Sequence, residues 1–201
     1  MNTGNNLENT AAQRAAKAAE AIAELHERYQ RAYQAAQQQP STEYMSGWEA
    51  PCYVGTPSGG EIAWRPAAQN PALDFAGVEH ALEMPLDTET KILFSAMYAG
   101  DLILEFAGNE LVLLQVMCAE DGERLQKNLI GHVMMKQRLE QPITLFIGLT
   151  DEDDLLISVD NETGEVGLEY VGKPQHEVLA ANVSEFLEQL SPRIDGAEFS
   201  A

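Results

Sequence analysis

Residues 100–170 spell out strand, tight turn, strand, long helix, strand, acidic turn, strand, turn, strand, and few folds accept that succession. Residues 102–106 and 111–116 are apolar-rich runs split by Ala107-Gly108-Asn109. A short Gly/Asn break between such runs predicts a hairpin. Ala119-Glu120-Asp121 then opens a helix with two carboxylates in its first turn, where the macrodipole favours negative charge. Leu125, Leu129, Ile130, Val133, Met134 and Leu139 recur at helical spacing and predict one buried face, which Pro142 brings to an end. Residues 143–149 have the length of a buried strand. Asp151-Glu152-Asp153-Asp154 interrupts the apolar pattern, and residues 155–159 and 166–170 read as a second hairpin around residues 160–164.

The flanks are simpler. Residues 1–9 are polar and read as a disordered N-terminus. Residues 10–39 are rich in Ala, Glu, Gln and Arg and predict a helix. Ile22, Leu25, Tyr29 and Tyr33 give it a thin apolar stripe, enough to dock on a domain. Residues 40–60 read as a loop, 61–65 as a short strand and 66–71 as a turn. Two short helices follow, the second capped by Asp87. Residues 177–190 read as a closing helix, with Val183, Phe186 and Leu187 on its inner side, and 194–201 as a flexible tail. Helices on both sides of a strand-rich middle predict an α+β domain over residues 40–193. Its sheet is expected to be mixed, mostly antiparallel, with about five or six strands packed against helices; the N-terminal helix is an extra element.

A formal charge of −20 argues against nucleic acid as a direct ligand, since phosphate binding needs a Lys/Arg footprint. A bare anionic membrane would repel the chain too. No apolar run reaches the length of a membrane helix, so direct membrane insertion is not expected. The charges of the N-terminal helix cancel, which leaves the excess on residues 40–201. No Lys or Arg stands between Arg138 and Lys173, a segment holding Glu140, Asp151, Glu152, Asp153, Asp154, Asp160, Glu162, Glu165 and Glu169. A surface of one sign steers a partner of the other and excludes wrong ones, so a basic protein surface is the natural partner class.

No pattern for catalysis stands out. His26, His80, His132 and His176 show no metal spacing, and His132 reads as a packed helix residue. Neither Cys52 nor Cys118 has a basic neighbour to activate it. The acidic run at 151–154 lacks the alternating ligands of a calcium loop. The reading is a non-enzymatic protein with no cofactor and no metal. A hydrolase using a carboxylate pair is the enzyme rival; it would need two close acids, one with a strongly raised pKa, in a deep apolar pocket.

An ordered set of short motifs adds a resemblance. Ala50-Pro51-Cys52, Trp64 with Pro66, Ala99-Gly100-Asp101, Leu113-Leu114-Gln115, Asn128-Leu129-Ile130-Gly131-His132, Lys136-Gln137-Arg138-Leu139, Thr144-Leu145-Phe146-Ile147, Ile157-Ser158-Val159, Gly164-Glu165-Val166 and Glu185-Phe186-Leu187 fall in sequence. In this order the chain resembles the Syd family, SecY-interacting proteins of bacteria related to the SUKH superfamily, over about residues 25–193. The resemblance implies a cytosolic protein held loosely at the inner membrane through SecY, with a regulatory or monitoring role in protein translocation. It agrees with the charge, because cytoplasmic loops of membrane proteins are rich in Lys and Arg. The partner-binding candidates are Asp101, Glu105, Glu120, Asp121, Asp151, Glu152, Asp153 and Asp154; of these, Asp101, Glu120 and Asp121 flank strand and helix ends and are expected at one rim of the sheet. The alternative is an immunity-type inhibitor whose acidic face covers a basic toxin.

Overall fold

The computed structural model describes residues 3–194. In chain order its elements are α1 (Thr3–Ala35), β1 (Ser41–Glu43), β2 (Tyr53–Ser58), β3 (Glu61–Trp64), β4 (Ala67–Ala68), α2 (Ala76–Leu82), α3 (Thr88–Ser95), β5 (Met97–Tyr98), β6 (Leu102–Phe106) and β7 (Asn109–Leu113). There follow α4 (Ala119–Arg138), β8 (Thr144–Thr150), β9 (Leu155–Asp160), β10 (Val166–Tyr170), β11 (Glu177–Ala180), α5 (Val183–Gln189) and β12 (Ser191–Pro192). The class is α+β, as expected. The main sheet is curled, with seven strands in the order β11-β10-β9-β8-β7-β6-β12 and every pairing antiparallel.

The two faces of this sheet differ. Leu102, Leu113, Gly148, Ile157 and Leu168 are cross-strand partners in succession and share the inner face. Side chains alternate along a strand. Phe146 and Ser158, paired with each other, therefore share the outer face. There α4 packs, with His132 edge-on to Phe146 at 5.5 Å. Phe186 of α5 meets Phe106 at 5.3 Å on the inner face, and α1 and α3 complete that layer.

Helix α1 is an integral part of this body. Ala18, Ala21, Ile22, Leu25 and Tyr29 are buried, and Tyr29 stacks on Trp64 at 5.8 Å. Three of its cations reach other elements: Arg14 meets Asp87 and Glu89, Lys17 meets Glu188, and Arg28 donates to the Leu187 carbonyl. Its backbone begins inside the 1–9 stretch that the sequence assigns to disorder.

Three readings need correction. Residues 177–190 are not one helix. Glu177–Ala180 is the edge strand β11, paired with β10, and α5 starts only after Asn182, whose side chain accepts from the Glu185 N–H at 2.9 Å. The stripe of Val178, Leu179, Val183 and Phe186 mimics a helix, but Asn182 is a cap and marks a start. Residues 40–60 are not all loop, because β1 and β2 flank β3 in a three-stranded sheet. The run 111–116 ends as a strand at Leu113, where Asp101 captures the Gln115 N–H at 2.7 Å. The expected tail, apart from Ile194, lies outside the described residues.

Candidate functional site

The inner face of the sheet extends beyond the reach of α5 and leaves a hollow of ≈ 290 Å³. Its floor is apolar: Phe106, Leu111, Leu155, Ile157, Leu168 and Leu179. Its rim is acidic: Glu110, Asp151, Glu152 and Glu177. The β8–β9 turn supplies two of these groups because the four-residue acidic run cannot continue a buried strand. Edge strand β11 supplies Glu177 and Leu179 as one wall.

The rim carboxylates are not equivalent. Glu110 forms an ion pair with Arg193. Glu152 accepts the Tyr170 hydroxyl at 2.6 Å, which holds that phenol's pKa above its usual value. Asp151 and Glu177 make no ion pair among the described residues, nor do Asp153 and Asp154 on the same turn. All of Asp151 to Asp154 are exposed. The turn is closed by the backbone: Asp154 adopts φ 62° and its carbonyl accepts the Val171 N–H at 2.9 Å. Four neighbouring carboxylates therefore face solvent with no internal cation, a field that low ionic strength extends and salt shortens.

Asp101 and Asp121 lie elsewhere. They line a smaller cavity of ≈ 130 Å³ on the outer face, with Phe146, Leu125 and Arg124. Asp121 is buried, paired with Arg124 at 2.9 Å, and accepts the Met117 N–H at 3.0 Å, so its charge is used inside the fold. Asp101 is exposed to water, yet the protein atoms crowding its carboxyl push it up to about 6. Glu120 is exposed in the first turn of α4. Glu105 is half-buried, directly opposite Glu110 across β6 and β7. The candidates thus fall in two groups: Asp151 and Glu152 border the hollow, while Asp101 and Asp121 line one cavity on the opposite face. Glu110 and Glu177 were not singled out in the sequence. Their one local signal is an acid within an alternating apolar run, and acids are too abundant here for that to stand out.

Other carboxylates find cations on other elements of the fold. Glu79 pairs with Lys91, Asp87 and Glu89 with Arg14, and Glu169 with Lys136. Glu169 lies with His132, Lys136 and Thr144 in a sealed cluster under α4: His132 Nε2 is 3.0 Å from Thr144 Oγ1 and 3.3 Å from Glu169 Oε1. Burial pushes the Glu169 carboxyl up, but the hydrogen bonds of His132 and Thr144 and the Lys136 ammonium outweigh it and hold the pKa below the usual range. With Lys136 and Glu169 wholly buried, this cluster meets no solute. Cys52, also buried, has its thiol pushed up to about 12, the opposite of an activated nucleophile. Among the described residues no group of three or more His, Cys, Asp or Glu is placed to hold a metal ion. No described helix is long and apolar enough to cross a membrane.

The family model described as "Syd protein (SUKH-2)" matches residues 19–192. This chain belongs to the Syd family. The chain is 46% identical to Protein Syd of Idiomarina loihiensis over 155 residues, covering 77% of this chain and 85% of that one. It is 49% identical to Protein Syd of Alteromonas mediterranea over 150 residues, covering 74% and 83%. With Protein Syd of Photobacterium profundum the identity is 42% over 153 residues, covering 76% and 83%. The Syd match takes in the hollow, the 151–154 turn and about half of α1. Arg14 and Lys17 precede it.

Proposed function

We propose that this Syd-family protein is a non-enzymatic docking protein whose acidic hollow and 151–154 turn receive basic segments of SecY exposed at the cytoplasmic side of the inner membrane. Binding there regulates or monitors protein translocation. The observation that carries the reading is the contrast between two sets of carboxylates. Acids inside the body are matched by Arg14, Lys91, Arg124 and Lys136, while those of the 151–154 turn have no cation partner. A free one-sign turn beside an apolar hollow suits a Lys- or Arg-bearing loop, whose aliphatic stem covers apolar surface while its head meets carboxylate. Cytoplasmic loops of membrane proteins have that composition. The toxin-inhibitor alternative has no separate observation in its favour.

The test is capture of detergent-solubilised SecY by the wild type, by a variant with Asp151, Glu152, Asp153 and Asp154 changed to Asn or Gln, and by Glu177→Gln. Each is measured at low and at high salt. The expected result is weaker binding by both variants at low salt, mainly through slower association, with the difference shrinking at high salt. Equal binding by all three proteins at both salts overturns the electrostatic reading.

A further inference from the structure

Six large apolar side chains are strongly exposed among the described residues: Met134, Leu139, Leu149, Tyr170, Val171 and Val178. Scattered singly, such residues need no explanation; gathered together they do. Three of them form a ledge on the outer face of the sheet, the side away from the hollow. Leu149 is paired across β8 and β9 with half-buried Leu156, and Leu156 across β9 and β10 with Glu169. Val171 follows at the end of β10, tied to Asp154 by its N–H. Gly172, next in the chain, lies against Leu139 at the end of α4: a Cβ built there would be 3.7 Å from the Leu139 Cδ1. Leu149 is 41% exposed, Val171 47% and Leu139 46%.

The ledge has a direction. Its strand end abuts the unpaired Asp151–Asp154 turn, and its helix end carries the exposed Arg138 and Lys173. We infer that this ledge is a second docking surface, separate from the hollow, for an amphipathic basic segment of a partner protein. Its apolar stripe would cover Leu149, Val171 and Leu139, and its Lys or Arg side chains would lie against the 151–154 turn. The choice of occupant follows from charge. A second copy would bring another strongly acidic body against this one, and an anionic lipid surface would be repelled by the same turn. The hollow and the ledge share only that turn, so either surface can act without the other.

The probe is a pair of synthetic peptides of equal charge: an amphipathic helix of Leu and Lys, and a version with its Leu residues replaced by Ser. Titration calorimetry compares them on the wild type, on the Leu149→Ser/Val171→Ser variant and on the hollow variant Glu177→Gln. Both ledge residues are exposed, so the double variant is expected to fold normally, which circular dichroism checks. The wild type should prefer the Leu-containing peptide by ~10-fold, through burial of apolar surface. The ledge variant should lose that preference, while Glu177→Gln keeps it. Equal affinity of the wild type for both peptides overturns the proposal, as does a preference that survives in the ledge variant. Self-association of the wild type that Leu149→Ser/Val171→Ser abolishes also overturns it, since the ledge would then serve a second copy. If the ledge proposal fails while the turn and Glu177 variants still weaken SecY capture, the reading of the hollow stands alone.

Discussion

The Lys136 ammonium meets the Glu169 carboxylate at 3.1 Å, and neither side chain has any exposed surface. Lys136 also donates to the Lys173 carbonyl at 2.8 Å, so one side chain of α4 fastens both β10 and the turn before β11. Lys136→Met removes the cation and leaves a buried carboxylate whose remaining support is His132 and Thr144. Unfolding in urea should show a loss of ~3–5 kcal/mol. The double variant Lys136→Met/Glu169→Leu should recover much of that loss, because a buried pair replaced by apolar groups of similar volume is often neutral.

Glu169 also sets a pH dependence. Its folded pKa lies below its unfolded value. Its contribution is therefore present above the unfolded value and is lost as pH falls through the depressed folded one. Wild-type stability should drop on acidification below the ordinary carboxylate range, and Glu169→Gln should flatten that drop. Thermal unfolding across acidic pH measures it.

Asp101 has the opposite sign. Crowding raises its folded pKa to about 6, above the ordinary aspartate value, so the folded state holds the proton more tightly than the unfolded chain. Stability then falls as pH rises between those two values. Asp101→Asn keeps an oxygen for the Gln115 N–H and removes the charge. Its melting temperature should exceed that of the wild type at neutral pH and converge with it in acid.

Gly100 lies under the Trp64 indole. A Cβ at this position would sit 2.6 Å from Trp64 Nε1, and Trp64 is itself pinned by its stack with Tyr29. Gly100→Ala should destabilise by ~1–3 kcal/mol through overpacking, read by denaturant unfolding. Because the indole sits in the core beside α1, Trp fluorescence should shift in the variant.

Arg14 joins α1 to the rest of the body from outside the segment matched by the Syd model. Its guanidinium meets Asp87 and Glu89, and Glu89 in turn accepts both the Ser184 N–H and hydroxyl at the start of α5. Arg14 is 41% exposed, so water weakens the pair. Arg14→Gln should cost ~1 kcal/mol or less, measured by urea unfolding. A loss several times larger would mean that the cation is needed to hold Glu89 against Ser184.

Local signals carried the hairpins, the long helix and the Asp87 cap, which accepts from Thr90 N–H at 2.9 Å. Each depends on residues close together in the chain. Where the sequence misled, the deciding neighbours were distant. Glu177–Ala180 became a strand because β10 was there to pair with it. Residues 40–60 yielded strands because β3 stood between them. The candidate carboxylates were divided between two faces by strand alternation, and Glu110 was taken up by Arg193, which no local pattern ties to it; the Asp121–Arg124 pair, three residues apart on one helix, is local.

The order of amino acids alone settled the α+β class, the excess of negative charge on residues 40–201 and the placement of four acids at one turn, because periodicity, turn chemistry and charge counting are local properties. Tertiary structure alone decided which carboxylates remain free. An ion pair depends on distance in space, and Arg14, Lys91, Lys136 and Arg193 reach their partners only after the sheet has curled and the helices have closed on it. At the 151–154 turn the fold leaves four consecutive acids without a cation among the described residues.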